Sequence, residues 1–218
     1  MKKHILVIAG ASGVGKTTIA ARMLSDFTEF GFVRSITTRA KRGDGHDGEY
    51  IYTDRADFIK RAEQGELVEY MEYGDNLYGT PVSELDRIFS EGKIPLLILD
   101  IEGVKSLRKK SYDFVAVTFY IWDDLDTIEK RLYSRDLANP TAEKLLSFIK
   151  RKEMNVRDYL LMPSLFGLFD FFLKNDSVEK SASRVRELFL EASSGVFSKS
   201  KDNEAVANAL SKLAKKKQ

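Results

Sequence analysis

Residues 10–17 read Gly10-Ala11-Ser12-Gly13-Val14-Gly15-Lys16-Thr17 and satisfy the pattern G-x-x-x-x-G-K-[ST]. An apolar run over residues 3–9 precedes this octapeptide, and residues 15–26 carry apolar positions at helical spacing. A strand, a glycine-rich turn and a helix N-terminus together present a nest of backbone N–H groups that favours phosphate. The sequence therefore predicts a phosphate-binding loop near the start of an α/β fold.

Each residue type in this loop has a chemical task. The glycines allow positive φ and a close backbone approach to phosphate. Lys16 supplies a compact charge for the β- and γ-phosphates, and Thr17 supplies a hydroxyl for Mg²⁺. Asp100 ends the apolar run 94–99 and is expected to reach the same ion through water. The residues expected to hold the triphosphate are Gly10, Ala11, Ser12, Gly13, Val14, Gly15, Lys16, Thr17 and Thr18.

Apolar runs alternate with helical patterns along the chain, which predicts a parallel sheet covered by helices on both faces. The segment at about 37–83 has shorter, more polar strands, and we interpret it as a small inserted mixed α/β module. The remaining core covers about 1–36 and 84–195, with a charged lid at about 133–142. The predicted strands cover residues 3–9, 32–36, 49–53, 67–73, 76–80, 94–99, 114–121 and part of 165–173. The predicted helices cover residues 15–26, 54–64, 81–92, 123–133, 141–159 and 177–192.

Composition excludes several classes of protein. The 218 residues are 43% hydrophobic and 31% charged, which favours one folded domain over a disordered chain. Cysteine is absent, so disulfides and thiolate metal sites are excluded. No apolar run reaches the roughly 18–20 residues that span a bilayer. The N-terminal apolar run ends at once in the glycine loop, which is unlike a secretory signal, so we predict a cytoplasmic protein without a membrane partner.

The charge is unevenly distributed. The net charge is +2, yet residues 197–218 carry +4 and the preceding chain carries −2. A folded body of that charge gives no reason to expect nucleic-acid binding. In the tail, 196–218, Val206, Ala209, Leu210 and Leu213 have near-helical spacing, which predicts a frayed, solubilising helix. A weak contact with nucleic acid or an anionic membrane is the alternative for the tail.

A second group of polar residues follows the phosphate loop and comprises Ser35, Thr37, Thr38, Arg39, Arg42, Tyr50, Glu69, Tyr78, Gly79 and Thr80. The order and spacing of these residues resemble those of the guanylate kinase family. The resemblance runs from about residue 3 to about residue 190. It implies a P-loop nucleoside monophosphate kinase that transfers the γ-phosphoryl of Mg-ATP to GMP, giving ADP and GDP. Either a monomer or a homodimer is compatible with it.

The resemblance also implies how GMP is held. Guanidinium groups pair bidentately with phosphate, and hydroxyls satisfy the remaining oxygens. Glu69 would accept from the ring N–H and exocyclic amine of guanine, whereas adenine presents an unprotonated nitrogen there. Thr80 would assist at the edge of the base. The residues implied for the GMP phosphate are Ser35, Arg39, Arg42, Tyr50 and Tyr78.

Further positions match the family outside the insertion. Lys16 and four arginines would neutralise charge on the transferring phosphoryl group. Asn175 matches a position near the adenine of ATP. One departure concerns 100–103, where the chain is two residues shorter than the family pattern, and Glu102 is interpreted as the replacement for a second acid at guanine. The residues implied in catalysis are Lys16, Arg39, Arg131, Arg135 and Arg151.

Two other functions remain open at this point. One is a kinase for a different phosphorylated acceptor, such as a sugar phosphate, on the same scaffold. Glu69 with the Tyr78-Gly79-Thr80 run argues against it, because those residues suit a purine edge. The other is a non-catalytic module that binds protein ligands. The intact phosphate loop, with Lys16 and Thr17, argues against that.

Overall fold

The computed structural model describes residues 2–41, 47–73, 75–195 and 203–217. The chain has a mixed α/β fold in which helices flank a parallel sheet, as predicted. It divides into two compact units: unit 1 comprises Met1–Val7 and Leu24–Ala116, and unit 2 comprises Ile8–Met23 and Val117–Gln218. The first strand, β1 (Lys3–Gly10), contributes residues to both.

Unit 1 begins its parallel sheet with strand order β2-β7-β1, where β2 is Phe30–Phe32 and β7 is Ile94–Ile98. The single strand predicted for residues 32–36 is wrong. The chain leaves this sheet at Arg34, whose backbone N–H and guanidinium both donate to Glu84, at 3.2 and 2.7 Å. The following residues form β3 (Ser35–Thr37) in a second sheet.

That second sheet of unit 1 has the strand order β4-β3-β6-β5. Helix α2 packs Phe58 with Ile36, Leu67 and Leu77 from its strands, and all four side chains are buried. The Asp54 carboxylate accepts from the backbone N–H of Asp57 at 2.8 Å and caps α2, close to the predicted start of a helix at residue 54. The new elements are β4 (Tyr50–Tyr52), α2 (Arg55–Glu63), β5 (Leu67–Tyr73) and β6 (Asn76–Pro81).

Two helices complete unit 1. Helix α3 (Val82–Ser90) starts directly after Pro81, where a helix is predicted. Helix α4 (Ile101–Arg108) is not predicted from the sequence. It packs against β5, and the Asp100 carboxylate caps it by accepting from the N–H of Gly103 at 2.7 Å. Asp100 therefore opens a helix instead of merely ending a strand.

Unit 2 places a strand beside the end of β1, and its core is aromatic. Phe119 stacks on Phe171 with ring centroids 4.8 Å apart, and Phe169 is fully buried. None of the helices within the described ranges is long and apolar enough to cross a membrane. The elements are α1 (Lys16–Asp26), β8 (Phe114–Trp122), α5 (Leu125–Asp136), α6 (Ala142–Leu165), β9 (Phe171–Lys174) and α7 (Val178–Ser193).

The C-terminal segment is folded where the structure describes it. Residues Asn203–Lys215 form helix α8, which packs against α6 and buries Ala207, Leu210 and Ala214 completely. Asn203 also donates to the carbonyl of Asp170 at 3.0 Å. The expectation of a frayed, solvated helix is therefore wrong for these residues, because their apolar face has a partner in α6.

A core substitution tests this packing. We expect Leu210→Ala to lower the free energy of unfolding by about 2–5 kcal/mol, since removing a buried leucine loses its contacts and leaves a cavity. Urea denaturation measures the change. Lys212→Ala, on the exposed side of the same helix, is the control and should have an effect within about 0.5 kcal/mol. An unchanged midpoint for Leu210→Ala would show that α8 does not belong to the cooperative fold.

Candidate nucleotide-binding sites

The loop of residues 10–17 lies in unit 2 and has the backbone that glycine permits. Gly10, Gly13 and Gly15 have φ values of +149°, +83° and +103°. A Cβ on Gly10 would lie 2.2 Å from the carbonyl oxygen of Ile121, so a side chain there would force the backbone to move. The loop therefore packs directly on β8, and its conformation requires glycine at these positions.

Lys16 and Thr17 occupy the first turn of α1. The Lys16 Nζ donates to the carbonyls of Gly10 and Ala11, at 2.8 and 3.0 Å, which holds the ammonium group over the loop. The first turn of α1 contains no acidic residue. Its backbone N–H groups and the lysine therefore form a site of positive potential suited to phosphate.

Two buried asparagines that lie outside the loop form hydrogen bonds with its backbone. Asn155 of α6 accepts from the N–H of Ser12 at 2.8 Å and donates to its carbonyl at 2.9 Å. Asn175 donates to the carbonyl of Val14 at 2.8 Å and accepts from Ser181 at 3.1 Å. Both side chains are 3% exposed. Asn175, predicted near adenine, thus has its amide engaged in supporting the loop.

Sequence reasoning missed Asn155. The residue lies far along the chain from Ser12, and no local motif marks it. The signal that could have found it is its single amide side chain on a helix face that otherwise buries Phe148, Tyr159 and Met162. Such a residue in an apolar stripe needs a hydrogen-bond partner, but its identity depends on tertiary structure.

The three arginines predicted in unit 2 have acidic partners. Arg131 pairs with Asp123 at 2.9 Å and donates to the carbonyl of Val14 at 3.3 Å, so it also contacts the loop. Arg135 and Arg151 share Asp136, at 2.7 and 3.1 Å. A cleft of about 220 Å³ adjoins the loop, and its lining residues are Gly15, Thr18, Arg131, Asn175, Asp176, Ser177 and Val178.

The second sheet of unit 1 brings Arg39 and several tyrosines together. The Arg39 guanidinium lies over the ring of Tyr50, 4.9 Å from its centroid, and Tyr50 meets Tyr78 edge to face at 6.3 Å. Tyr52 joins them, since its hydroxyl accepts from Arg39 at 3.4 Å, although sequence reasoning did not select it. Ser35 lies opposite Tyr50 in the β3–β4 register.

Arg39 carries an unsatisfied donor. Its Nε is buried and has no hydrogen-bond acceptor among the described residues. A buried N–H without an acceptor is costly, so this guanidinium is suited to receiving an anion. Arg42, the other arginine predicted here, lies outside the described residues.

Glu69 is a buried carboxyl on β5. Its side chain is enclosed at 2% exposure and accepts from the Thr80 hydroxyl at 2.7 Å across the β5–β6 pair. Burial, the largest cause, and the negative charge of Asp100 together raise the pKa of Glu69 to about 7, against the opposite effects of Thr80 and Lys110. A ligand with two N–H donors would therefore strongly stabilise the negative charge of this buried carboxylate.

The structure does not bring Glu102 to this pocket. Its side chain is 63% exposed and pairs with Lys105 at 2.7 Å on the surface of α4. The carboxyl that faces Glu69 is instead that of Asp100. A Cβ added to Gly103 would lie 3.2 Å from Glu69 Oε2 and 3.4 Å from Asp100 Oδ1, so glycine leaves the space between them open. The early start of α4 turns Glu102 outward.

The pKa of Glu69 predicts a pH dependence. If Glu69 binds guanine as the family resemblance implies, and only as the carboxylate, kcat/KM for GMP should fall about tenfold per pH unit below pH 7, where Glu69 is protonated. Steady-state rates between pH 5 and 9 measure this. Glu69→Gln is the control, because its remaining transition near pH 6 belongs to the nucleotide phosphate. Identical profiles for the two proteins would contradict the assignment.

Comparisons with known proteins agree with this architecture. The guanylate kinase family profile matches residues 2–192. Guanylate kinase 1 of Oryza sativa subsp. japonica is 33% identical over 185 residues, which are 84% of this chain and 47% of the rice protein. The guanylate kinase of Lactococcus lactis subsp. lactis (strain IL1403) is 31% identical over 185 residues, which are 84% of this chain and 85% of that protein.

A solved structure supports the fold. The crystal structure of guanylate kinase from Anaplasma phagocytophilum matches with a TM-score of 0.63 and 22% identity, covering 87% of this chain and 86% of that one. A phosphate loop at a helix N-terminus in an α/β fold defines a P-loop nucleotide-binding protein. The profile and the relatives specify it further: the chain belongs to the guanylate kinase family. The resemblance drawn from the sequence is therefore confirmed.

Proposed function

We propose that the chain acts as a guanylate kinase, an ATP:GMP phosphotransferase. The observation that carries this function is Glu69, a carboxyl enclosed at 2% exposure with the Thr80 hydroxyl bonded to one of its oxygens. A buried carboxylate is unfavourable unless donors pair with it. Guanine supplies two adjacent N–H donors, which makes GMP the nucleotide that suits the pocket.

The same carboxylate would reject adenine. The ring nitrogen of adenine carries no proton at the corresponding edge, so two acceptors would oppose each other. Each unpaired buried polar group costs about 1–3 kcal/mol, which is about 5- to 150-fold in affinity. Thr80 fixes one oxygen of Glu69 and so orients the other toward the base.

Arg39 would bind the phosphate of GMP. Its buried Nε lacks an acceptor among the described residues, and a phosphate oxygen would provide one. Tyr50 and Tyr78 lie beside it and would add hydroxyl donors. Ser35 is aligned with Tyr50 on the same sheet. We therefore assign the GMP-binding module to this sheet and α2, within residues 37–83 and the preceding strand.

The loop of unit 2 would bind the triphosphate of ATP. Its N–H nest and Lys16 supply the positive potential. We also propose that Mg²⁺ accompanies the ATP, neutralising phosphate charge when bound. The described residues contain no cluster of three acidic or histidine side chains that could hold an ion alone. Thr17 would supply a hydroxyl ligand to the ion. That Asp100 reaches the same ion through water stays a prediction from the sequence.

The arginines of unit 2 would stabilise the transferring phosphoryl group. Arg131 already contacts the loop at Val14. Arg135 and Arg151 are paired with Asp136, so they would exchange that carboxylate for phosphate when the lid of residues 133–142 closes. A GMP phosphate oxygen then attacks the γ-phosphorus in line, and the bond to the ADP oxygen breaks. The protein orients the groups and excludes water.

A coupled assay of ADP release with a panel of acceptors tests this function. With Mg-ATP, we expect GMP to be phosphorylated at least 100-fold more efficiently than AMP, UMP or CMP, as measured by kcat/KM. dGMP in the same panel measures the role of the 2′-hydroxyl. Comparable turnover of a sugar phosphate would favour the alternative acceptor. If none of these acceptors is phosphorylated in the presence of ATP, a non-catalytic protein-binding module would be the better assignment.

A further inference from the structure

Strand β5 contains a bulge immediately before Glu69. Leu67 lies opposite Pro81 and Glu69 lies opposite Thr80, so β5 has one more residue than β6 between these pairs. Leu67, Val68 and Glu69 are all buried in succession, whereas a regular strand points neighbouring side chains to opposite faces. Bulges re-aim side chains next to binding sites. Here the bulge determines where the carboxyl of Glu69 points.

The segment after α4 holds this bulge by hydrogen bonds. The hydroxyl of Tyr112 donates to the carbonyl of Val68, the additional residue. The Lys110 Nζ lies 3.4 Å from the carbonyl of Leu67 and adds a weaker contact. The ring of Tyr112 stacks on Phe114, with centroids 4.7 Å apart and planes 10° from parallel. Stacking restrains the ring, and the ring places its hydroxyl on the bulge.

The charged groups around Glu69 come from this same part of the chain. Asp100, at the start of α4, contributes negative charge, and Lys110, after its end, contributes positive charge. Burial raises the pKa of the Tyr112 hydroxyl, and the nearby charge of Glu69 raises it further. Helix α4 packs along β5 between these positions. The same segment thus contributes the charges around Glu69 and supports the strand that carries its carboxyl.

We propose that Tyr112 is a positioning residue for base recognition: its hydroxyl holds the bulge at Val68 and thereby fixes the direction of the Glu69 carboxylate. This inference rests on the proposed function, in which Glu69 binds guanine. Without the hydroxyl, the Val68 carbonyl loses its donor, and β5 gains access to a regular register. A shift of one residue would turn Glu69 to the other face of the strand.

Tyr112→Phe tests the role of the hydroxyl, because it keeps the ring that stacks on Phe114. We expect KM for GMP to rise about three- to tenfold, the effect of one lost hydrogen bond. KM for ATP and kcat at saturating GMP should stay within twofold. Tyr70→Phe is the matched control, since it removes a hydroxyl from the same strand at a side chain that is 48% exposed. It should leave every constant unchanged.

A double-mutant cycle separates positioning from general stability. In a Glu69→Gln background, Tyr112→Phe should have no further effect on KM for GMP, because the group it orients has been removed. Additive losses would overturn the proposal, as would equal losses for GMP and ATP with a lower Tm. If Glu69→Gln alone binds GMP normally, the proposed function fails as well. If Glu69→Gln loses GMP but Tyr112→Phe does not, only the role of Tyr112 fails.

Discussion

Lys16→Ala is expected to lower kcat by about 10²–10³-fold, the usual cost of removing one preorganised group that stabilises a transition state. The reason is local. The Lys16 Nζ lies on the carbonyls of Gly10 and Ala11, inside the loop that would hold the triphosphate. Single-turnover measurements with saturating Mg-ATP and GMP would isolate this chemical step.

The control for Lys16 is a lysine of the same unit outside the site. Lys130→Ala removes an exposed ammonium from α5 and should leave kcat unchanged. Thermal unfolding of both variants checks that the loop still folds, since Lys16 also bonds its backbone. Turnover by a folded Lys16→Ala protein near the unmodified rate would contradict the assignment of the loop.

Glu69→Gln is expected to raise KM for GMP by about 100-fold and to leave KM for ATP within twofold. The amide keeps the size of the side chain but directs an NH₂ group at the N–H donors of guanine. One lost and one opposed hydrogen bond cost about 3 kcal/mol together, which corresponds to this factor. Isothermal titration with GMP provides an independent measure. Glu72→Gln, an exposed glutamate on the same strand that pairs with Arg55, is the matched control.

The same substitution should stabilise the free protein at high pH. The pKa of Glu69 is raised to about 7 in the folded chain. Between its usual pKa and pH 7, the folded state therefore holds this proton more tightly than the unfolded state does. Stability contributed by this group is therefore lost as the pH rises through 7. We expect the Tm of Glu69→Gln to exceed that of the unmodified protein at pH 8, and the difference to shrink toward pH 5. A lower Tm at pH 8 would mean that the buried charge is well compensated.

Several features were predictable because their causes are local. The phosphate loop depends on glycines within eight residues, and its conformation has the positive φ values that only this composition tolerates. The caps at Asp54 and Ser177 are likewise set by side chains that accept from the next turn. Contiguous residues decide these elements, so a single sequence is sufficient.

Other expectations failed where a distant residue decides the outcome. Residues 32–36 have strand character throughout, yet Arg34 leaves the ladder because Glu84 binds it. Glu102 has suitable chemistry for a base pocket, but α4 starts early and turns it toward Lys105. Helix α8 has a recognisable apolar spacing, but its burial required the surface of α6.

That this chain is a P-loop protein of the guanylate kinase family could be inferred without a structure, since short-range backbone chemistry and the order of the polar residues carry that information. Only the folded chain shows which carboxyl faces Glu69, which amide holds Ser12 and which hydroxyl supports the β5 bulge. Those are pairings between residues far apart in the chain. Their energy depends on burial and on partner geometry, and both exist only once the strands and helices have packed.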